Sequence, residues 1–162
     1  MPDKMEEILV LIRKARIEET QEITDVLNVV TQDLLRKNIH QWTQPWNESE
    51  IIAEINQEQL YVLENENKIL GTFAIKEKSC LSSLDLTNGS YYLYQIAILP
   101  ICQGNGLGGE ILKFAERHFE KVYLDCWAGN AKLKDFYSQN GWDYLGDFPE
   151  NDYFISVFMN ER

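Results

Sequence analysis

Apolar positions along this chain return with two different rhythms, and the alternation between them predicts the elements. Leu9 to Arg16 reads as a first strand; Ile23, Val26, Leu27, Val30 and Leu34 then recur at helical spacing before the cations Arg36 and Lys37. Asn38 to Trp46 is an aromatic loop, and Asn47 with Glu50 three residues on resembles a capping box opening a short helix faced by Ile51, Ile52 and Ile55. Gln59–Leu63 and Ile69–Ile75 predict adjacent antiparallel strands joined by the polar stretch Glu64–Lys68. Lys76 to Ser90, with the turn pair Asn88-Gly89, leads into a strand over Tyr91–Leu99 that Pro100 ends, having no N–H to donate.

A glycine-rich stretch comes next, and from Gly106 to Phe119 the residues Leu107, Ile111, Leu112, Ala115 and Phe119 form one helical stripe. Lys121–Trp127 is a strand and Asn130–Asn140 a helix stopped by Gly141. Trp142–Leu145 and Tyr153–Met159 close the chain as two strands around the connection Gly146-Asp147-Phe148-Pro149. Strand, helix, strand across Tyr91–Trp127 implies a crossover between parallel strands, with the glycine stretch at the carboxyl end of the first, where α/β ligand sites lie. Without repeat, linker or low-complexity tract, the pattern predicts one mixed α/β domain over residues 1–162.

Composition narrows the function classes. A 44% apolar share is ordinary for a globular chain, and no run approaches the roughly 20 apolar residues of a membrane span. The N-terminus Met1-Pro2-Asp3-Lys4-Met5-Glu6-Glu7 lacks the basic region and apolar stretch of a signal peptide, so a cytoplasmic protein without membrane partners is expected. Fifteen basic against 26 acidic residues give a net charge of −11, which disfavours nucleic acid as a partner and favours a cationic one. Cys80, Cys102 and Cys126 are odd in number and lack metal-ligand spacing, so neither a disulfide framework nor a metal site is expected.

The chemistry concentrates in Pro100-Ile101-Cys102-Gln103-Gly104-Asn105-Gly106-Leu107-Gly108-Gly109. Glycines let main-chain N–H groups approach a ligand, and the helix beyond them aims its positive dipole end at the same point, which suits phosphate. Gly104-x-Gly106-x-x-Gly109 formally satisfies a dinucleotide fingerprint, with Asp125 near the end of the next strand. That fingerprint normally opens a two-halved fold, whereas this one lies past the middle of the chain. A P-loop is excluded, because Glu110 and Ile111 stand where a Lys and a hydroxyl residue are required.

Gln103-x-x-Gly106-x-Gly108 after a strand and a proline resembles motif A of the GCN5-related N-acetyltransferase (GNAT) superfamily, Gln/Arg-x-x-Gly-x-Gly/Ala. Downstream, Asn130 through the pair Phe136-Tyr137 to Gly141-Trp142 is similar to that superfamily's motif B, and the order of elements agrees over nearly the whole chain. The resemblance implies a central, twisted, mostly antiparallel sheet of about seven strands, with a parallel central pair splayed for coenzyme A and about four flanking helices.

The resemblance also implies acetyl-coenzyme A as cosubstrate, no metal, and direct transfer of the acetyl group to a primary amine of a small molecule, peptide or protein. Main-chain groups from Gln103, Gly104, Asn105, Gly106, Leu107, Gly108 and Gly109 would meet the pyrophosphate, Ala97 and Ile98 the pantetheine arm, and Asn130 the coenzyme arm further on. Tyr137 would protonate the departing thiolate. Several relatives carry a Glu on the central strand where this chain has Tyr94 and Gln95, so no general base is assigned; water held by Tyr94, Gln95 or Asp125 is one route. His40 and Trp42 lie in the aromatic loop that borders the acceptor in the superfamily. The missing Glu leaves open a non-catalytic acyl-coenzyme A sensor of the same fold. Oligomeric state stays open between monomer and homodimer.

Overall fold

Ile23, Val26, Leu27 and Val30 are buried along one side of helix α1 (Thr20–Arg36), as their spacing requires. The computed structural model that gives this burial describes residues 9–39, 42 and 45–162. The described elements run β1 (Leu11–Lys14), α1, α2 (Glu48–Asn56), β2 (Leu60–Asn65), β3 (Lys68–Glu77), β4 (Cys80–Leu81), β5 (Leu84–Asp85), β6 (Tyr91–Ile98), α3 (Leu107–His118), β7 (Lys121–Trp127), α4 (Ala131–Gln139), β8 (Asp143–Glu150) and β9 (Tyr153–Glu161). Seven strands form one sheet in the order β1-β2-β3-β6-β7-β9-β8, and β4 with β5 forms a separate two-stranded one. The fold is therefore mixed α/β, with four helices among the described residues and one parallel pair, β6 with β7, in a mostly antiparallel sheet. No described helix is long and apolar enough to cross a membrane.

The described residues divide into two compact units: residues to Phe73 with Ile96–Gly108, and Ala74–Gln95 with Gly109–Arg162. In the first unit β1 pairs antiparallel with β2 from Leu11↔Glu64 to Lys14↔Tyr61. Arg13 reaches Glu64 at 2.6 Å and Glu19 at 2.6 Å, tying the first strand to its neighbour and to the turn that precedes α1. Asn47 caps α2 by accepting from the Ser49 N–H at 2.9 Å. The β2–β3 connection is tighter than the five-residue stretch expected: Glu66 and Asn67 both take left-handed φ, 47° and 66°, as a primed two-residue turn requires. Trp46 donates its indole N–H to the Thr31 hydroxyl at 2.9 Å, and Trp42 meets it edge-on at 5.5 Å.

In the second unit β7 pairs antiparallel with β9 along its whole length, from Lys121↔Glu161 to Trp127↔Ile155. Val122, Leu124, Val157 and Phe158 are buried there, as are Ile111, Leu112 and Ala115 of α3. Two expected connections differ from the structure. Gly146-Asp147-Phe148-Pro149 belongs to β8 and pairs with β9 through Gly146↔Val157 and Pro149↔Phe154, with a bulge between Tyr144 and Gly146. The cross-strand ladder overrides the turn chemistry of Gly and Pro, and β8 is an end strand, where a residue without N–H is tolerated. Within Lys76–Ser90, β4 and β5 form a small antiparallel ribbon through Cys80↔Asp85 and Leu81↔Leu84.

Candidate active site

In the first unit, β6 runs out at Ile98 and Pro100–Cys102 makes one 3-10 turn, closed by Cys102 N–H to Leu99 C=O at 2.8 Å. Gln103 folds its amide back to the Ile98 carbonyl at 3.0 Å, and Asn105 donates to the Cys102 carbonyl at 3.0 Å. These two side chains brace the loop from within. Gly104 and Gly106 sit at φ +84° and +78°, and a Cβ at either position would meet no atom within 4 Å. The glycines are therefore favoured by backbone conformation, and the space beside them is open. The first turn of α3 begins at Leu107, where helix geometry leaves main-chain N–H groups without intrahelical partners. The Gln103 N–H is engaged by the Pro100 carbonyl at 3.2 Å, so Gly104 to Gly109 hold the remaining donors of the motif. Main-chain amides at a helix N-terminus, with open space beside Gly104 and Gly106, are the kind of donor set that suits an anion.

Ala97 is buried in β6, and Ile98 beside it lends its carbonyl to Gln103. Upstream in the same strand, within the second unit, Gln95 takes a left-handed φ of 58°. Such a residue inside a strand bends it and re-aims the side chains beyond the bend. The parallel ladder to β7 pairs Tyr91 with Val122 and Tyr92 with Tyr123, and both strands continue beyond it.

The second unit also holds Tyr94, Gly109, Asp125, Asn130 and Tyr137. Tyr137 is buried on α4, its ring 5.7 Å from Phe136 and 5.4 Å from Phe158. Burial pushes its phenol well above the ordinary tyrosine range, and Cys126 and Asp125 push the same way. It therefore stays protonated throughout the neutral range. Cys126 itself is pushed up to about 12, chiefly by burial, with Asp125 adding to the effect. Asn130 caps α4 by accepting from the Leu133 N–H at 3.1 Å. Tyr94 stacks on Tyr92 at 5.1 Å, with the Lys76 ammonium 4.6 Å over its ring. Asp125 accepts a hydrogen bond from the Tyr92 hydroxyl at 2.8 Å; burial raises its carboxyl above the usual range.

Trp42 lies in the first unit against Trp46, and His40 falls outside the described residues. Two features carry no signal in the sequence: the bend at Gln95 and the role of Tyr92 as the partner of Asp125. Alternation places Tyr92 and Asp125 on one face only once the β6–β7 register is known, and no local pattern in the chain encodes that register.

A family model described as "Acetyltransferase (GNAT) family" matches residues 27–142. A stretch of 62 residues is 36% identical to "Uncharacterized N-acetyltransferase YesJ" of Bacillus subtilis (strain 168), spanning 35% of this chain and 34% of that protein. The chain thus matches about a third of the length of that relative. Among solved structures, an acetyltransferase of the GNAT family from Streptococcus agalactiae superposes with a TM-score of 0.80 at 19% identity, over 94% of this chain and 95% of that one. The PaiA N-acetyltransferase of Thermoplasma acidophilum, in complex with coenzyme A, gives a TM-score of 0.72 at 13% identity, over 95% and 99%. With two motifs in sequence, a sheet of the matching kind and a family match over most of its length, this chain belongs to the GNAT acetyltransferase family.

Proposed function

We propose that the protein moves an acetyl group from acetyl-coenzyme A to the amine nitrogen of a small molecule, peptide or protein, by direct attack and without a covalent enzyme intermediate. The observation that carries this reading is the turn at Gly104 and Gly106, open on the side a Cβ would fill and leading straight into α3. Main-chain amides and a helix dipole hold a diphosphate without cationic side chains, which suits a protein of net charge −11. The coenzyme A bound by the Thermoplasma relative supports the same ligand class here.

The coenzyme supplies an acetyl thioester. Main-chain groups of Ala97 and Ile98 align its pantetheine arm as an added strand would, and an N–H there meets the charge that develops on the carbonyl oxygen. Asn130, whose Oδ1 is committed to the α4 cap, offers its amide N–H groups to the coenzyme arm. Tyr137, kept protonated by burial, gives its proton to the thiolate as the carbon–sulfur bond breaks.

Two measurements test this. Acetyl-coenzyme A at about 100 times its dissociation constant adds about 2.7 kcal/mol of stability, and NAD adds none. Free thiol then appears when a panel of amines is offered. Binding with no thiol release above background from any amine refutes transfer and leaves a coenzyme-binding module.

A further inference from the structure

Asp125 lies on β7 two residues beyond the Tyr92↔Tyr123 rung of the β6–β7 ladder. By strand alternation it shares a face with Tyr123, whereas Leu124 and Cys126 point to the other side. The opposite face belongs to the thiol-protonating group: Leu124 pairs with Phe158, and Phe158 carries the Tyr137 ring at 5.4 Å. Asp125 is partly exposed, so solvent and a small cation can reach it. Tyr92 donates to its Oδ1 at 2.8 Å, and among the described residues no Lys, Arg or His nitrogen lies within 4.0 Å of the carboxylate. Lys78 stands nearby, its ammonium 5.4 Å over the Tyr92 ring, without pairing with Asp125, so this part-buried carboxylate, held by a neutral phenol, can receive a cation of its own.

We infer that Asp125, oriented by Tyr92, binds the alkylammonium of the acceptor and takes its proton, an inference that rests on the acetyl-transfer reading above. The nitrogen loses two protons in all. The first passes to Asp125 and on to water, freeing the lone pair that forms the nitrogen–carbon bond. The second leaves as the amide forms and balances the one that Tyr137 delivers to sulfur. Proton removal from the nucleophile and proton delivery to the leaving group are thereby assigned to opposite faces of β7.

The surroundings agree with this division. Burial raises the Asp125 carboxyl and Glu150 of β8 raises it further, so it is a better base than a solvated carboxylate; the Tyr92 bond and Lys78, just past the end of β3, act the other way. Tyr92 is itself pushed well above the ordinary tyrosine range, chiefly by burial, and stays a donor. Tyr94 of β6 and Lys76 of β3 are engaged with each other, the ammonium 4.6 Å over the ring. Tyr153 of β9 is raised, first by burial and then by Glu150 and Asp125; Tyr137 of α4 and Cys126 on β7 itself also feel the Asp125 charge.

The test offers butylamine, 1,4-diaminobutane and lysine amide to the protein with acetyl-coenzyme A, and to Asp125→Asn and Tyr92→Phe. Asp125→Asn is expected to lower kcat/KM by about 10²- to 10⁴-fold with coenzyme A affinity unchanged. Tyr92→Phe removes a bond that lowers the Asp125 carboxyl, so the rising limb of kcat/KM against pH is expected to move to higher pH. A second arm needs no turnover. In coenzyme A-bound protein labelled with 13C at aspartate carboxyls, an ammonium within about 4–6 Å should lower the Asp125 titration midpoint by about 1–3 pH units. Wild-type kcat/KM in Asp125→Asn, or an Asp125 signal that none of the three amines moves, overturns the inference. Movement of that signal without thiol release sinks the transfer reading while the ammonium site stands.

Discussion

Replacing Gly106 by Ala separates the backbone cost of the loop from its service to a ligand. The added Cβ meets no atom within 4 Å in the protein, so the cost in the free protein comes from φ +78° alone. A non-glycine residue held there costs about 1–2 kcal/mol. For a chain of this size each kcal/mol lowers Tm by about 2–4 °C. Gly89 supplies the control: it sits at φ +82°, also with nothing within 4 Å, but in the connection before β6. Gly89→Ala should therefore lose the same stability and keep its coenzyme affinity. In Gly106→Ala the methyl projects into the open space where the diphosphate is proposed to lie. Loss of one hydrogen bond to a charged group, about 1.5–3 kcal/mol, corresponds to about 10- to 150-fold weaker binding. Calorimetric unfolding gives the first quantity and isothermal titration with acetyl-coenzyme A the second. If the two variants lose stability equally and bind acetyl-coenzyme A equally well, the loop is not the diphosphate site.

Tyr137→Phe is expected to slow the chemical step by about 10²- to 10⁴-fold while coenzyme affinity, read by titration, stays near wild type. Glu19 is held below the usual carboxylate range by its bond to Arg13 and by the Arg16 N–H. Its contribution is present above the unfolded value of about 4.3 and is lost as pH falls through the lower folded value, so Glu19→Gln should flatten the acid limb of urea-midpoint against pH. Cys80 is exposed, whereas Cys102 and Cys126 are buried and the Cys126 thiol is pushed up to about 12. Ellman's reagent at pH 8 should therefore label one thiol promptly and the other two only on unfolding; prompt labelling of Cys126 would contradict its burial.

Much of this architecture was legible from local pattern because local physics decides it. The α1 stripe, the strand Lys121–Trp127 and the Asn130-capped helix carry their own periodicity, cap and stop signals, and each is found where the pattern puts it. The glycine motif was legible for the same reason: φ near +80° in a loop entering a helix favours glycine at that spot. Features that depend on pairing between distant segments were not legible. Gly146 and Pro149 read as a connection, yet the ladder to β9 draws them into an end strand with a bulge. Tyr91–Leu99 reads as one even apolar strand, and nothing in its composition marks the left-handed bend at Gln95. The Tyr92–Asp125 bond joins residues 33 apart in sequence, on strands whose parallel register is set by packing. Asp125 was a candidate in the sequence beside Tyr94 and Gln95, but its Tyr92 partner appears only once that register is in hand.

The central claim is that main-chain amides from Gly104 to Gly109 grip a diphosphate, and glycine labelling addresses them directly. The chain has nine glycines, so protein labelled with 15N-glycine gives at most nine amide signals. On addition of acetyl-coenzyme A the signals of Gly104, Gly106, Gly108 and Gly109 should move downfield as their protons enter charge-assisted hydrogen bonds, while Gly89 stays in place. Saturable binding that shifts other glycines and leaves those four unmoved would contradict the account.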